Sequence, residues 1–351
     1  MLRFITEDSA LQRLWDKALA GLAGNCRPVF GSNDKPVLNE GGIYTGIWLE
    51  CGPHEALTYA PVNPAVTKLS HEIFYRHQRP DGQFPAYILA NRAGYGQIQQ
   101  VVPIARTAWT FAQLTGDEAF LTASYHAAAG WDDWLSKYRD SRNIGIIEAF
   151  CEYDTGHDNS ARWHGMPKDC PDAEARNRPD LPGLPRIAPD LSATLYGGRI
   201  ALAEMAVALG DENASEQWRI KADLTRKSLV KHCFDPLLDF YFDRDNNEQL
   251  IRIVGDAGLR VLGEGIPSQA TAERIFARYI LNPLCFCTPY PLPSIAADDP
   301  VFIRSAPENC WGGATQALAA LRAPRWFEHY GFYQELDEMM TRWLEALARA
   351  G

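Results

Sequence analysis

Residues 190–211 read DLSATLYGGRIALAEMAVALGD, and the organisation of the chain is legible from this stretch. Leu191, Leu195, Leu202, Met205 and Leu209 recur at spacings of four, seven, three and four, which draws one apolar stripe along a helix that faces a core. Gly210 then supplies the left-handed stop of that helix, and Asp211 caps the first free amides of the next. Leu114-Thr115-Gly116-Asp117 repeats the device. Both junctions predict two helices folded back on one another.

Working outward, the same period predicts helices over 7–22, 62–78, 101–115, 117–138, 190–209, 212–234, 268–280, 311–330 and 332–349. Strand-like alternation is scarce. Gly- and Pro-rich loops fill 26–60, 79–100, 140–189 and 282–310, and the third far exceeds the usual connection of about 4–6 residues. Long loops on a helical scaffold carry function more often than they carry structure. No stretch has linker composition and no fixed-period repeat occurs, so the expectation is an all-α chain with one domain of paired helices over 1–351.

Composition excludes several roles. Against 34 Lys plus Arg stand 44 Asp plus Glu, a net charge of -10, which repels a phosphate backbone or an anionic lipid; no nucleic-acid partner is expected. No apolar run approaches the roughly 20 residues that span a bilayer, and the first residues, MLRFITEDSALQRLWDKAL, lack the pattern of a signal peptide. No membrane association is expected, and the location expected is the cytoplasm. Eight cysteines are scattered along the chain, as in a reduced intracellular protein. Cys285 and Cys287 have no neighbouring His or second pair to complete a zinc site and read as core, so no metal and no cofactor is expected. Ten Trp, many beside Gly and Pro in predicted loops, suit a cleft where flat sugar faces stack on rings; aromatic core packing accounts for part of them.

The loop that holds most chemistry is Glu152-Tyr153-Asp154-Thr155-Gly156-His157-Asp158-Asn159-Ser160-Ala161-Arg162-Trp163. It gathers carboxylates, amide and guanidinium donors and a stacking ring, as a sugar site does. An Asp-rich turn with side-chain capping is the competing reading of the same residues.

TGHDNSARW within that loop resembles the signature of the inverting α-glycosidases related to mannosylglycerate hydrolase, processing α-glucosidase I and trehalase. Further segments resemble the same group in the same order. Gly46-Ile47-Trp48-Leu49-Glu50-Cys51 is similar to its early Trp-Asp loop, and Gln78-Arg79-Pro80-Asp81-Gly82-Gln83-Phe84-Pro85 to its Q-x-P-D-G-x-x-P segment. Gln97-Ile98-Gln99-Gln100 with Pro103 is similar to Q-x-P-P, and Asp190-Leu191-Ser192-Ala193 to D-L-N-A. Pro289-Tyr290-Pro291-Leu292-Pro293-Ser294 with Asp298-Asp299-Pro300 resembles the late loop, and Asn309-Cys310-Trp311 through His329-Tyr330-Gly331 keeps the spacing of N-Y-W-R-G-P to R-Y-G.

The resemblance, over about residues 10–345, implies an (α/α)6 toroid of six helical hairpins with a pocket at one end. It implies that Asp158 is the general acid, a role that a carboxyl shielded from water can fill near neutrality. Glu50 stands where the family has an Asp that grips sugar hydroxyls, one methylene longer; its plainer reading is a solvent-facing loop acid. Gln97, Arg162 and Trp163 fall at sugar-pocket positions, and Trp48 and Trp311 at its floor or wall, although either Trp also suits a core. Asp154 is read as a bystander.

Two departures qualify this. The family's W-R-G-P-x-W becomes Trp311-Gly312-Gly313-Ala314-Thr315-Gln316, which loses an Arg, so an acidic aglycone is not expected. The family's catalytic Glu lies in an E-x-Y-x-P-x-T-G segment that does not occur before Gly351. The chain is expected to stop short of that segment, to use another carboxylate, or to have lost hydrolysis. Glu308, beside Asn309-Cys310-Trp311, is the preferred substitute base, with charge compensation at a helix N-terminus as its competing role. The function expected is an exo-acting, inverting α-glucosidase or α-mannosidase on a short carbohydrate substrate. A sugar epimerase using His157 and His164, and a sugar-binding protein without a base, are the alternatives.

Overall fold

The structure, a computed structural model, describes residues 3–306 and 309–350. Glu308 therefore lies outside the described residues. Eleven α-helices occur among them: α1 Ser9–Gly24, α2 Gly52–Tyr59, α3 Pro64–Arg76, α4 Ile104–Thr115, α5 Glu118–Tyr138, α6 Pro189–Ala208, α7 Glu212–Cys233, α8 Asp256–Gly263, α9 Gln269–Ile275, α10 Ala317–His329 and α11 Tyr333–Ala350. The helix junctions form as the sequence predicts. Gly116 sits at φ +67°, and Asp117 accepts from the amide of Phe120 at 2.9 Å. Gly210 sits at φ +81°, and Asp211 accepts from the amide of Ala214 at 2.8 Å.

Helices pack as neighbours in chain order, α2 on α3, α4 on α5, α6 on α7 and α10 on α11, while α2, α4, α6, α8 and α10 touch in succession as one row. The central member of that row, α6, is apolar on almost every side, as a helix covered all round must be. Leu191 and Leu195 enter a core shared with α3 and α5, and Leu202 and Met205 one shared with α4 and α5. Leu209, the end of the stripe, is 37% exposed. A third core joins α8, α9 and α10 around Phe276 and Trp326.

The sequence reading misses α2 and α8. Each has only eight residues, too few turns for a period to stand out. The helix predicted over 311–330 begins at Ala317, because Gly312 and Gly313 lie in the turn that precedes it. Between the helices run short antiparallel strands of two or three residues, whose length leaves no alternation to read. The one that matters most pairs Gly46–Trp48 with Tyr87–Leu89 and sets Trp48 opposite Tyr87. Among the described residues no helix is long and apolar enough to cross a membrane.

Candidate active site

The loop after Phe150 is held from inside by Asp154. Its carboxylate is wholly buried, pairs with the equally buried Arg139 at 2.6 Å, and accepts from the amides of Ile98 at 2.8 Å and Phe150 at 2.7 Å. The Asp154 carbonyl also accepts from the amide of Gln100, so one residue joins the 97–100 loop to the 152–163 loop. Read from sequence as a bystander, Asp154 is the anchor that places both. Cys151 and Cys170 lie close enough to Asp154 to form a three-ligand group. Arg139 and the backbone amides already occupy that carboxylate, so a cation would have to displace a buried ion pair.

A second buried lattice lies under Asp158. Arg162 makes paired hydrogen bonds to Asp190 at 2.7 and 2.8 Å and to Asp243 at 2.6 Å through both nitrogens. Its Nη1 also lies 2.7 Å from His157 Nδ1. Guanidinium nitrogens only donate, so His157 Nδ1 accepts and its Nε2 donates to Asp256 Oδ2 at 3.0 Å. Burial, with the Arg260 charge second, pushes the His157 imidazole down to about 3, which keeps it neutral. Both ring nitrogens of His157 are thus engaged, and the residue does not line the cavity around Asp158. Trp163 is buried and donates to Thr155 Oγ1 at 2.9 Å, and Trp311 packs its ring on His157 at 5.0 Å.

Above this lattice opens a cavity of about 280 Å³ lined by Asp158, Glu50, Gln97 and Trp48, together with Glu40, Tyr44, Tyr87, Leu89, Gln99, Tyr153, Asp169 and Asn309. Four of the residues expected from sequence are thus brought together. The side chains of Arg162, Trp163 and Trp311 are not among its walls. Tyr44, Trp48 and Tyr87 form one aromatic side, with Tyr44 edge-on to Trp48 at 5.6 Å and Tyr87 tilted against it at 6.2 Å. Gln97 and Gln99 are buried, and the Oε1 of each has no hydrogen-bond partner among the described residues. Such acceptors beside a ring wall suit a polyhydroxylated ligand.

Among the described residues four carboxyl groups share the cavity, and burial, then the charge of Asp154, raises that of Asp169. Burial raises that of Asp158, against an opposing hydrogen bond from Asn309 Nδ2 at 3.3 Å and the charge of Lys168. Burial, then Asp158 and Glu40, raise Glu50 to about 8. Burial, then Glu55 and Asp158, raise Glu40 to about 7. Near neutrality Glu50, and in part Glu40, therefore carry a proton and can donate to oxygen. Gly156, at φ +64°, stands so close to Glu50 that a Cβ there would fall 2.2 Å from Glu50 Oε2. The left-handed backbone favours glycine there, and a larger residue would make the Glu50 carboxylate move.

Sequence reasoning missed Glu40, Tyr44, Tyr87, Tyr153 and Asp169 as cavity residues. Tyr44 precedes Trp48 by four positions, a weak signal; Tyr87 reaches the site only through strand pairing, for which no local signal exists. Gln99 and Asn309 lie within the quoted motifs but carry no signal of their own.

Residues 44–319 match the family described as the mannosylglycerate hydrolase MGH1-like glycoside hydrolase domain. Among solved structures, the GH63 mannosylglycerate hydrolase of Thermus thermophilus in complex with glucose superimposes with a TM-score of 0.74 at 19% identity, covering 96% of this chain and 92% of that one. Neutral trehalase Nth1 of Saccharomyces cerevisiae gives 0.68 at 13% identity, covering 92% and 70%. A rhamnosidase from Klebsiella oxytoca with rhamnose bound gives 0.66 at 14% identity, covering 99% and 56%. At these identities the three share the fold. No curated protein sequence matches the chain.

Proposed function

Because the chain belongs to the mannosylglycerate hydrolase MGH1-like family, glycoside hydrolases of the GH63 type, we propose that it is an exo-acting, inverting α-glucosidase or α-mannosidase of short glycosides. The observation that carries this is Asp158, a carboxyl raised by burial inside a 280 Å³ cavity with a wall of Tyr44, Trp48 and Tyr87. Asp158 protonates the leaving oxygen. Trp48 stacks on the terminal sugar, and Glu50 and Gln97 bind its hydroxyls. Glu50 does so as a neutral donor, which its raised pKa supports. Arg162, Trp163 and Trp311 act on the sugar indirectly, by holding the loop of Asp158 in place. The row of α2, α4, α6, α8 and α10 is read as the inner ring of an (α/α)6 toroid.

Inversion requires a second carboxylate that activates water, with the two carboxyls roughly 6.5–9.5 Å apart. Glu308 remains the base proposed from sequence. The eight free cysteines support a reducing, cytoplasmic location. The test is release of sugar from p-nitrophenyl α-glucoside and α-mannoside, with the anomer followed by NMR. Inverted product that disappears in Asp158→Asn and Glu308→Gln supports the reading. A parent that binds sugar without turnover on either glycoside withdraws it.

A further inference from the structure

A larger cavity of about 580 Å³ opens between α2, α4, α8 and α10 and shares no lining residue with the one around Asp158. Its character is cationic. Arg322, in the middle of α10, is 8% exposed and lines it, yet its Nε and Nη1 have no hydrogen-bond partner among the described residues. Among the described residues the carboxylate oxygen within 4.0 Å of Arg322 is Asp256 Oδ2, and that oxygen is already occupied by His157 Nε2 at 3.0 Å and Arg260 Nε at 2.6 Å. Arg260, in the same wall, also leaves its Nη2 without a partner among the described residues. Burial, with the Arg260 charge next, pushes Arg322 down to about 10, so it stays cationic at neutral pH.

The remaining charges sort by position. Arg106 is neutralised by Glu264 within the cavity wall. Arg325 lies at the exposed mouth, gives its Nε to the Gly263 carbonyl, and has no ion pair among the described residues. Glu328, also exposed, is the other acid of the lining. Leu57, Val101, Leu321 and Trp326 supply apolar wall. A guanidinium kept out of water without acceptors is unfavourable, and a planar fork of donors suits a carboxylate or phosphate oxygen pair. The volume falls in the range of small-molecule sites, well above a bare ion.

We propose that this cavity is a second ligand site, separate from the sugar site, that takes a small organic anion whose oxyanion group binds between Arg322 and Arg325. The proposal stands whether or not the chain hydrolyses glycosides.

The experiment titrates the full chain calorimetrically with inorganic phosphate and, separately, with acetate, at ionic strength held constant with sodium chloride. At least one probe is expected to bind the parent and Asp158→Asn alike. Arg322→Met is expected to weaken that binding by about tenfold or more, as loss of a charged hydrogen-bond donor does. Arg325→Gln, at the exposed mouth, weakens it in the same direction and serves as the second variant if Arg322→Met melts early by circular dichroism. Preference for phosphate assigns the ligand as a phosphate ester and preference for acetate as a carboxylate; both uphold the site. Absence of binding by either probe, or affinities that neither substitution changes, overturns it.

Discussion

The backbone amide of Trp311 donates a 2.8 Å hydrogen bond to the carbonyl of Asp158. Two loops far apart in sequence are thereby joined at the residue proposed as the acid, and Asn309 on the same strip of chain touches its carboxylate. Main chain fixes where Asp158 stands, and the side chains of Asn309 and Lys168 oppose the rise of its pKa.

Asp158→Asn keeps the shape and every backbone contact of the residue while removing its proton. Hydrolysis is expected to fall by about 10²–10⁴-fold, the share that a general acid supplies, with the circular dichroism spectrum unchanged. Measured turnover within about threefold of the parent would remove Asp158 from the mechanism.

Asn309→Ala deletes the hydrogen bond that opposes the upward shift of Asp158. The carboxyl pKa then rises further. An acid must be protonated to act, so the alkaline limb of kcat/KM against pH is expected to move to higher pH. A limb that stays in place, or moves down, contradicts the contact.

Glu50→Gln tests the cost of holding a carboxyl in this cavity. Glu50 has its pKa raised from the ordinary 4.5 to about 8 in the fold. Below 4.5 it is protonated both folded and unfolded and costs nothing. As pH rises from there to about 8, the unfolded chain ionises first, so the folded state loses relative stability. Glu50→Gln removes that loss and is expected to be more stable than the parent at about pH 8 by on the order of 3 kcal/mol, with the gap closing by about pH 4. Urea unfolding at the two pH values measures it.

Arg162→Met leaves Asp190 and Asp243 as buried carboxylates without their shared partner. Removing one member of a buried ion cluster costs about 3–5 kcal/mol, so the urea midpoint should fall sharply. Arg162→Lys is not expected to restore it, because one ammonium cannot make two paired contacts. A loss of sugar affinity with unchanged stability would instead place Arg162 on the ligand.

Leu191→Ala and Leu209→Ala separate the two ends of one helical stripe. Leu191 is wholly buried, and its truncation is expected to cost about 2–5 kcal/mol. Leu209 is 37% exposed at the helix end, and the same change should cost under about 1 kcal/mol. Equal costs would mean that the stripe is buried to its end.

Signals legible without the fold act over a few residues. The stop at Gly116 and the cap at Asp117 act within a few residues of each other, as do Gly210 and Asp211, so the helix pairs could be read from their junctions. The TGHDNSARW loop and its companion segments likewise carried the family, because short motifs keep their order and spacing. What those motifs touch depends on the packed fold. Arg162 and Trp163 lie in the most informative loop, yet their side chains turn inward to Asp190, Asp243 and Thr155, since a buried guanidinium must find carboxylates wherever the fold brings them. Tyr87 reaches the sugar cavity because its strand pairs with the one holding Trp48, and Asn309 because its loop crosses to Asp158. Contacts between distant segments leave no period or spacing in the chain; they exist only once burial has packed the helices and closed the loops over them.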